Sequence, residues 1–169
     1  MALYFYDTII GQLGIEENDS KITAIYIENG QKLNSVQKII ETKVIKEAAK
    51  QIKAYFKGEL KKFSVELSLN GTEFMRRVWL ELIKIPYGQT ATYGEIAKRV
   101  DCEKGYRAVG LANNRNPIPL IIPCHRVIGA DGSLTGFRSG LHIKQKLLDL
   151  EKKHSIVVPA RGRQAETIY

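Results

Sequence analysis

The sequence predicts an α/β (α+β) protein of two domains, a small α/β unit over residues 1–70 and a mainly helical unit over residues 71–169 containing a helix-turn-helix. Three observations carry this. The first part combines strand-like runs with one long helical period, Asn70-Gly71 supplies a turn signal, and the basic residues change character there. Residues 1–70 hold ten Lys, no Arg and nine acidic residues, a net +1, whereas residues 71–169 hold seven Lys, nine Arg and nine acidic residues, a net +7.

In the first unit, Leu3–Tyr6 and Lys21–Ile27 are rich in β-branched and aromatic residues and are separated by Gly and Asn/Asp-Ser signals, so both read as strands. From Ser35 the period changes. Val36, Ile39, Ile40, Val44, Ile45, Ala48, Ala49, Ile52, Tyr55 and Phe56 recur at helical spacing up to Gly58, a natural stop. Phe63–Leu69 alternates as a further strand.

In the second unit Thr72 is placed to cap a helix whose apolar face carries Phe74, Val78, Leu82 and Ile83 and which Pro86-Tyr87-Gly88 ends. Thr92-Tyr93-Gly94-Glu95 forms a capping box ahead of Ile96, Ala97 and Val100. After Asp101–Gly105 a second short helix is expected over Tyr106–Asn113, completing a helix-turn-helix pattern that two packed core helices would also show. Ala108, Gly110 and Ala112 leave that helix with little bulk while Arg107 projects from its start. This suits either helix packing or close approach to a DNA groove with an inserted side chain.

With 44% hydrophobic residues in 169 the chain has enough material for a core, and no apolar run reaches the roughly 20 residues a membrane span requires. The start, Met1–Asp7, has neither a basic leader nor a long apolar stretch, so no signal peptide is expected. Cys102 and Cys124, with three His and no close cysteine pair, argue against a disulfide framework or a metal site, and a free thiol suits a reducing, cytoplasmic setting. The net +8, concentrated with the arginines in the second unit, fits either a phosphate backbone or a solvated surface.

The chemistry centres on Pro123-Cys124-His125-Arg126-Val127, approached through Asn116-Pro117-Ile118-Pro119. Prolines restrict their own φ and the preceding residue, so the thiol is expected in a turn or at a strand end rather than inside a helix. An imidazole and a guanidinium beside a cysteine are the groups that lower a thiol pKa from about 8.5 and make the sulfur nucleophilic. The competing reading is a buried structural cysteine.

These pieces together closely resemble the O6-alkylguanine-DNA alkyltransferases, the methylated-DNA–protein-cysteine methyltransferases. The likeness covers roughly residues 72 to 151: the Tyr93 region, Arg107-Ala-Val-Gly110, Asn116-Pro117, the Pro-Cys-His-Arg-Val box, and Gly140-Leu141 leading to Lys144, Leu147-Leu148 and Glu151. The first unit is similar in kind, though loosely, to that family's ribonuclease H-like domain.

The resemblance implies DNA repair by direct, irreversible transfer of an alkyl group from O6 of guanine, with O4 of thymine a further candidate, to Cys124. It implies a single turnover with no cofactor and no metal. Cys124 would be the nucleophile, His125 the base acting through a water, Glu151 its orienting carboxylate, Tyr93 the donor to guanine N3, and Asn116 the brace of the turn. The carbonyls of Cys124 and Val127 would meet the exocyclic amine of guanine. Singly, Tyr93 also reads as a core aromatic, Asn116 as a turn former and Glu151 as a helix-end carboxylate. Base flipping would place Arg107 in the vacated stack, with Ala108 and Gly110 against the minor groove and Asn114 and Arg115 at phosphate. Val127, Phe137, Arg138 and Ser139 would line the pocket with Tyr93; Phe137 stands where many relatives carry tyrosine.

The partner implied is double-stranded DNA containing O6-alkylguanine, with no membrane and a monomeric protein. Two alternatives remain: a non-catalytic alkylguanine-recognition protein that recruits repair factors, and a thiol hydrolase. Cys102 reads as structural, and His142 and His154 as residues of solvated helix faces. The tail from Lys152, with Arg161-Gly-Arg163, stays open between a basic arm on DNA and a disordered end.

Overall fold

The computed structural model describes residues 1–27 and 38–155. Strands β1 (Ala2–Thr8), β2 (Gly11–Asn18), β3 (Lys21–Ile27) and β4 (Lys38–Ile39) form one sheet in the order β3-β2-β1-β4, with β4 parallel to β1 and the other pairs antiparallel. The β2–β3 turn places Asp19 and Ser20 at φ 51° and 63°, the left-handed pair that matches the twist of a two-residue hairpin. Helix α1 (Lys43–Phe56) starts at Thr42, whose side chain accepts from the Ile45 amide, and packs Ile45, Ala48, Gln51, Ile52 and Tyr55 into the interior.

Three expectations for this half are corrected. The helix begins at Lys43 rather than Ser35: Lys38 and Ile39 pair with Ala2 and Leu3, and Ile39 and Ile40 are half exposed. Ser35 and Val36 lie outside the described residues, as do Arg161 and Arg163 of the tail. Strand β2 was not anticipated, because its central residues are buried on both faces and do not alternate. Phe63–Leu69 is no full strand; Glu66 and Ser68 bond Ile22 of β3 through their backbones, covering the edge that β3 would otherwise expose.

The second half holds α2 (Glu73–Ile83), β5 (Ala91–Thr92), α3 (Tyr93–Arg99), α4 (Tyr106–Asn114), a 3-10 turn (Cys124–Arg126), β6 (Val127–Ile128) and α5 (Leu141–Ser155). Thr72 caps α2 by accepting from the Met75 amide, and Thr92 with Glu95 forms the reciprocal box of α3. On α2 the buried face is Val78, Trp79 and Leu82, while Ile83, expected there, is 40% exposed. The Trp79 indole donates to Ala112 O at 2.9 Å, tying α2 to α4.

Two contacts place the site. Strand β5 pairs in parallel with β6, setting the start of α3 beside the end of the Cys124 turn, and Ile25 N donates to Pro117 O at 2.8 Å, joining the sheet to the proline-rich approach. On α5 the buried residues Ile143, Lys144, Leu147, Glu151 and Ser155 share one face, so an ammonium and a carboxylate enter the interior two turns apart. His154, expected on a solvated face, is half-buried with its ring against Gly58; a Cβ on that glycine would fall 2.1 Å from Cδ2 of the imidazole.

Candidate active site

Cys124 opens the 3-10 turn as a buried thiol, 5% exposed, below a segment whose approach is bent by Leu120 at φ 74°. Asn116 braces that approach: its Nδ2 donates to Ile122 O at 2.8 Å and its Oδ1 accepts from the Ile118 amide at 2.9 Å. Asn113, which sequence reasoning did not single out, donates to Cys124 O at 3.3 Å. Its Oδ1 and the His125 Nδ1 are buried and without a partner among the described residues.

His125 turns its Nε2 to Glu151 Oε1 at 2.8 Å, with both side chains fully buried. The carboxylate accepts, so Nε2 carries the proton and the unpartnered Nδ1 keeps its lone pair. Glu151 collects further donors: Tyr55 at 2.8 Å, Arg126 through Nε and Nη2, and the Gly88 amide at 3.2 Å. Arg126 also donates to Ile85 O at 2.7 Å. Burial works to raise the Glu151 carboxyl pKa, but His125 and Arg126 overcome it and hold the group well below the usual carboxylate range. Burial lowers His125 below the ordinary imidazole value against the pull of Glu151.

The thiol departs from the sequence expectation. Burial pushes Cys124 up to about 11, and the groups that oppose this most are the Asn116 hydrogen bond and the Lys144 ammonium rather than its chain neighbours. The physical reason is direction: Arg126 is spent on Glu151 and the imidazole Nε2 faces the same carboxylate. Lys144 is fully buried, with its Nζ donating to Val127 O at 2.5 Å and Thr135 O at 3.0 Å. Its position in the α5 pattern does not announce this.

Tyr93, half-buried at the start of α3, donates its hydroxyl to Thr135 O at 2.9 Å in this structure, instead of presenting it unpaired. Its ring lies between α4 and the loop before α5: a Cβ on Gly110 would meet it at 3.9 Å, and one on Gly136 would sit 3.6 Å from the hydroxyl. Tyr93, Tyr106, Gly110, Leu111, Asn114, Thr135 and Gly136 surround an open hollow of about 400 Å³. Val127 is fully buried, and Phe137 and Ser139 are half-buried. Arg138 is exposed, and its charge acts on Tyr26 of β3. Arg107, Ala108, Asn114 and Arg115 are all exposed on or just after α4, the Arg107 guanidinium 5.9 Å from the Tyr106 ring.

The structure thus brings together Cys124, His125, Glu151 and Asn116, with Tyr93 over the neighbouring hollow and the α4 residues on the outer face. Tyr55, Arg126, Lys144 and Asn113 complete the interior. A buried thiol on the same turn as an imidazole–carboxylate pair supplies the groups that proteins of the cysteine-nucleophile class use.

Comparison with known proteins narrows the class. The family model described as 6-O-methylguanine DNA methyltransferase, ribonuclease-like domain, matches residues 1–69, and that described as 6-O-methylguanine DNA methyltransferase, DNA binding domain, matches residues 73–153. A methylated-DNA–protein-cysteine methyltransferase of Methanosarcina acetivorans is 49% identical over 153 residues, covering 89% of this chain and 98% of its own. The protein of the same name from Mycobacterium leprae is 48% identical over 147 residues, covering 86% and 89%. The crystal structure of Mycobacterium tuberculosis OGT in complex with DNA superposes with a TM-score of 0.86 at 44% identity, covering 91% of this chain and 94% of that one. The chain belongs to the 6-O-methylguanine DNA methyltransferase family, and its α/β two-domain fold is that family's.

Proposed function

We propose that the chain repairs DNA by taking the alkyl group from O6 of guanine onto Cys124, once per molecule. The observation that carries this is the 2.8 Å His125–Glu151 contact made one residue from a buried thiol. The Sγ–H proton passes to His125 Nδ1, directly or through a water. Sulfur then attacks the alkyl carbon as its bond to O6 breaks, and the electron pair left on guanine is neutralised by a proton at the ring, so the thiol proton is balanced by one gained by the base. Glu151 orients the imidazole and stabilises its charged form. Burial holds the thiol up at about 11, so it rests protonated. That suits a group used only once, activated when a base is bound and a proton can leave.

Tyr93 serves the guanine ring nitrogen after exchanging its Thr135 partner, and the hollow beside it receives the everted base. Val127, Phe137, Arg138 and Ser139 bound the pocket, and Asn116 braces the turn. Arg107 fills the vacated stack, Ala108 and Gly110 allow the helix to approach the minor groove, and Asn114 and Arg115 meet phosphate. The partner is double-stranded DNA carrying O6-alkylguanine, and O4-alkylthymine is a further substrate to test. The units divide at 1–70 and 71–169, and the protein acts as a monomer in the cytoplasm. No helix among the described residues is long and apolar enough to cross a membrane.

The test is intact-protein mass after incubation with a duplex containing O6-methylguanine. The expected gain is one methylene group on the Cys124 peptide, absent in Cys124→Ser. Tight lesion binding with no mass gain would instead favour a recognition protein, and repeated turnover of small esters a hydrolase.

A further inference from the structure

We propose that Tyr55, on α1 of the sheet-bearing half, is a positioning residue for alkyl transfer: its hydroxyl supports the Nε2–H tautomer of His125 that Glu151 sets and tempers the carboxylate that holds the imidazole. The proposal rests on the reading above of His125 as the proton acceptor for Cys124.

Tyr55 is fully buried, and its hydroxyl lies 2.8 Å from Glu151 Oε1 and 3.4 Å from His125 Nε2. Its ring is held among Phe56, Phe63 and Tyr87 with centroids 5.6, 5.6 and 5.7 Å away. The carboxylate can only accept, so the phenol proton points to Glu151 and the oxygen offers lone pairs to its other neighbour. Burial, then Glu151, keeps the phenol protonated far above its ordinary range. Nε2 therefore faces two acceptors, the carboxylate and the phenol oxygen. The tautomer with hydrogen on Nε2, set by the 2.8 Å contact to Glu151, is the one compatible with both, and it leaves the lone pair on Nδ1, the atom that has no partner among the described residues.

The second effect is on charge. Tyr55, His125 and Arg126 all donate to the same Oε1, and each donor draws negative charge from it. The phenol's 2.8 Å donation to Glu151 outweighs its 3.4 Å lone-pair contact with Nε2, so removing it leaves Glu151 a stronger partner for the imidazolium and raises the His125 pKa. The groups packed about this cluster are Tyr55 from α1, Tyr87 from the loop after α2, Cys124 and Arg126 in the turn itself, and Lys144 and Glu151 from α5. Among them Tyr55 is supplied by the first unit, so the half of the chain that lacks the thiol completes the thiol's base. A packing role alone needs the ring and not the hydroxyl.

The experiment uses the full chain and Tyr55→Phe, which keeps the ring. Ring-nitrogen NMR of His125 is followed across pH beside the single-turnover rate of methyl transfer from duplex O6-methylguanine. Expected are an Nε2–H tautomer in the wild type, a rise of the His125 pKa by about half a unit or more in Tyr55→Phe, and a matching move of the acid limb of the rate to higher pH. A folded Tyr55→Phe with unchanged His125 titration overturns the proposal, as does a slower variant whose pH profile stays in place. Should Tyr55→Phe fail to fold, 3-fluorotyrosine at position 55, a stronger donor of nearly the same shape, must move the titration the opposite way, and no movement overturns the proposal. A wild type that shows the expected His125 behaviour but transfers no methyl sinks the functional reading and leaves this coupling intact.

Discussion

Arg126 lays its guanidinium along both oxygens of Glu151, with Nε 3.0 and 2.9 Å from Oε1 and Oε2 and Nη2 2.7 Å from Oε1. The residue after the proposed base is thus the counter-ion of that base's carboxylate. Breaking a buried pair from one side leaves an uncompensated charge, at a cost of about 3–5 kcal/mol, whereas replacing both partners is far milder. Glu151→Gln and Arg126→Met are each expected to lose stability in this range, and the double variant to recover most of it. Urea unfolding of the four proteins gives the coupling directly.

Acid sensitivity follows from two depressed groups. Unfolded, His125 titrates near 6.5 and Glu151 near 4.3, at about their ordinary values; folded, both are lower. Between the unfolded and folded values the unfolded chain binds more protons, so stability falls as pH falls. The His125 contribution is expected to decline from about pH 6.5 downward and the Glu151 contribution from about pH 4.3 downward. Cys124 acts in the other direction: raised to about 11, it costs stability as pH climbs above the unfolded thiol value of about 8.5. Thermal melts from pH 3 to 10 should show a plateau with losses on both sides, and the part of the alkaline loss that begins near pH 8.5 should vanish in Cys124→Ala, leaving the later loss from the raised tyrosines Tyr55 and Tyr87.

Lys144 holds Val127 O and Thr135 O together. Lys144→Met leaves a buried carbonyl without its donor, worth about 1–3 kcal/mol, and removes the cation that favours the thiolate. The variant should melt lower, and alkylation of Cys124 by iodoacetamide should begin at higher pH than in the wild type. An unmoved alkylation profile would place the ammonium's influence elsewhere.

Arg107 is exposed, with its guanidinium against the exposed Tyr106 ring, so Arg107→Ala should leave the melting temperature within about a degree. If its guanidinium replaces the everted base, transfer from duplex DNA should slow by about tenfold or more while transfer from a free O6-alkylguanine base is unchanged. Equal slowing on both substrates would contradict that role.

Methylation of Cys124 adds a carbon to a side chain that is only 5% exposed and belongs to the buried core. Overpacking of this kind costs about 1–3 kcal/mol. The reacted protein is expected to melt several degrees below the unreacted one, read by calorimetry on samples of known modification.

The helical half was largely legible in advance because its signals are local: Thr72 and Thr92 cap the helices that follow them, and Glu95 returns the bond within one turn. The start of α1 was not, since Ile39 and Ile40 continue its apolar period and only pairing with β1 withdraws Lys38 and Ile39. The buried cluster around Glu151 divides in the same way. Cys124, His125 and Glu151 were read through the family likeness, whereas Tyr55 meets Glu151 across 96 residues and leaves no trace in spacing. The thiol pKa is not legible in the sequence, because adjacency does not say which way a guanidinium points.

Trp79 is the single tryptophan of the chain, and its indole is bonded to the backbone of the helix that carries Arg107. Its emission is therefore an intrinsic optical gauge on α4. Excited selectively, it should register docking onto a duplex, and then release after reaction, in real time and without an attached dye.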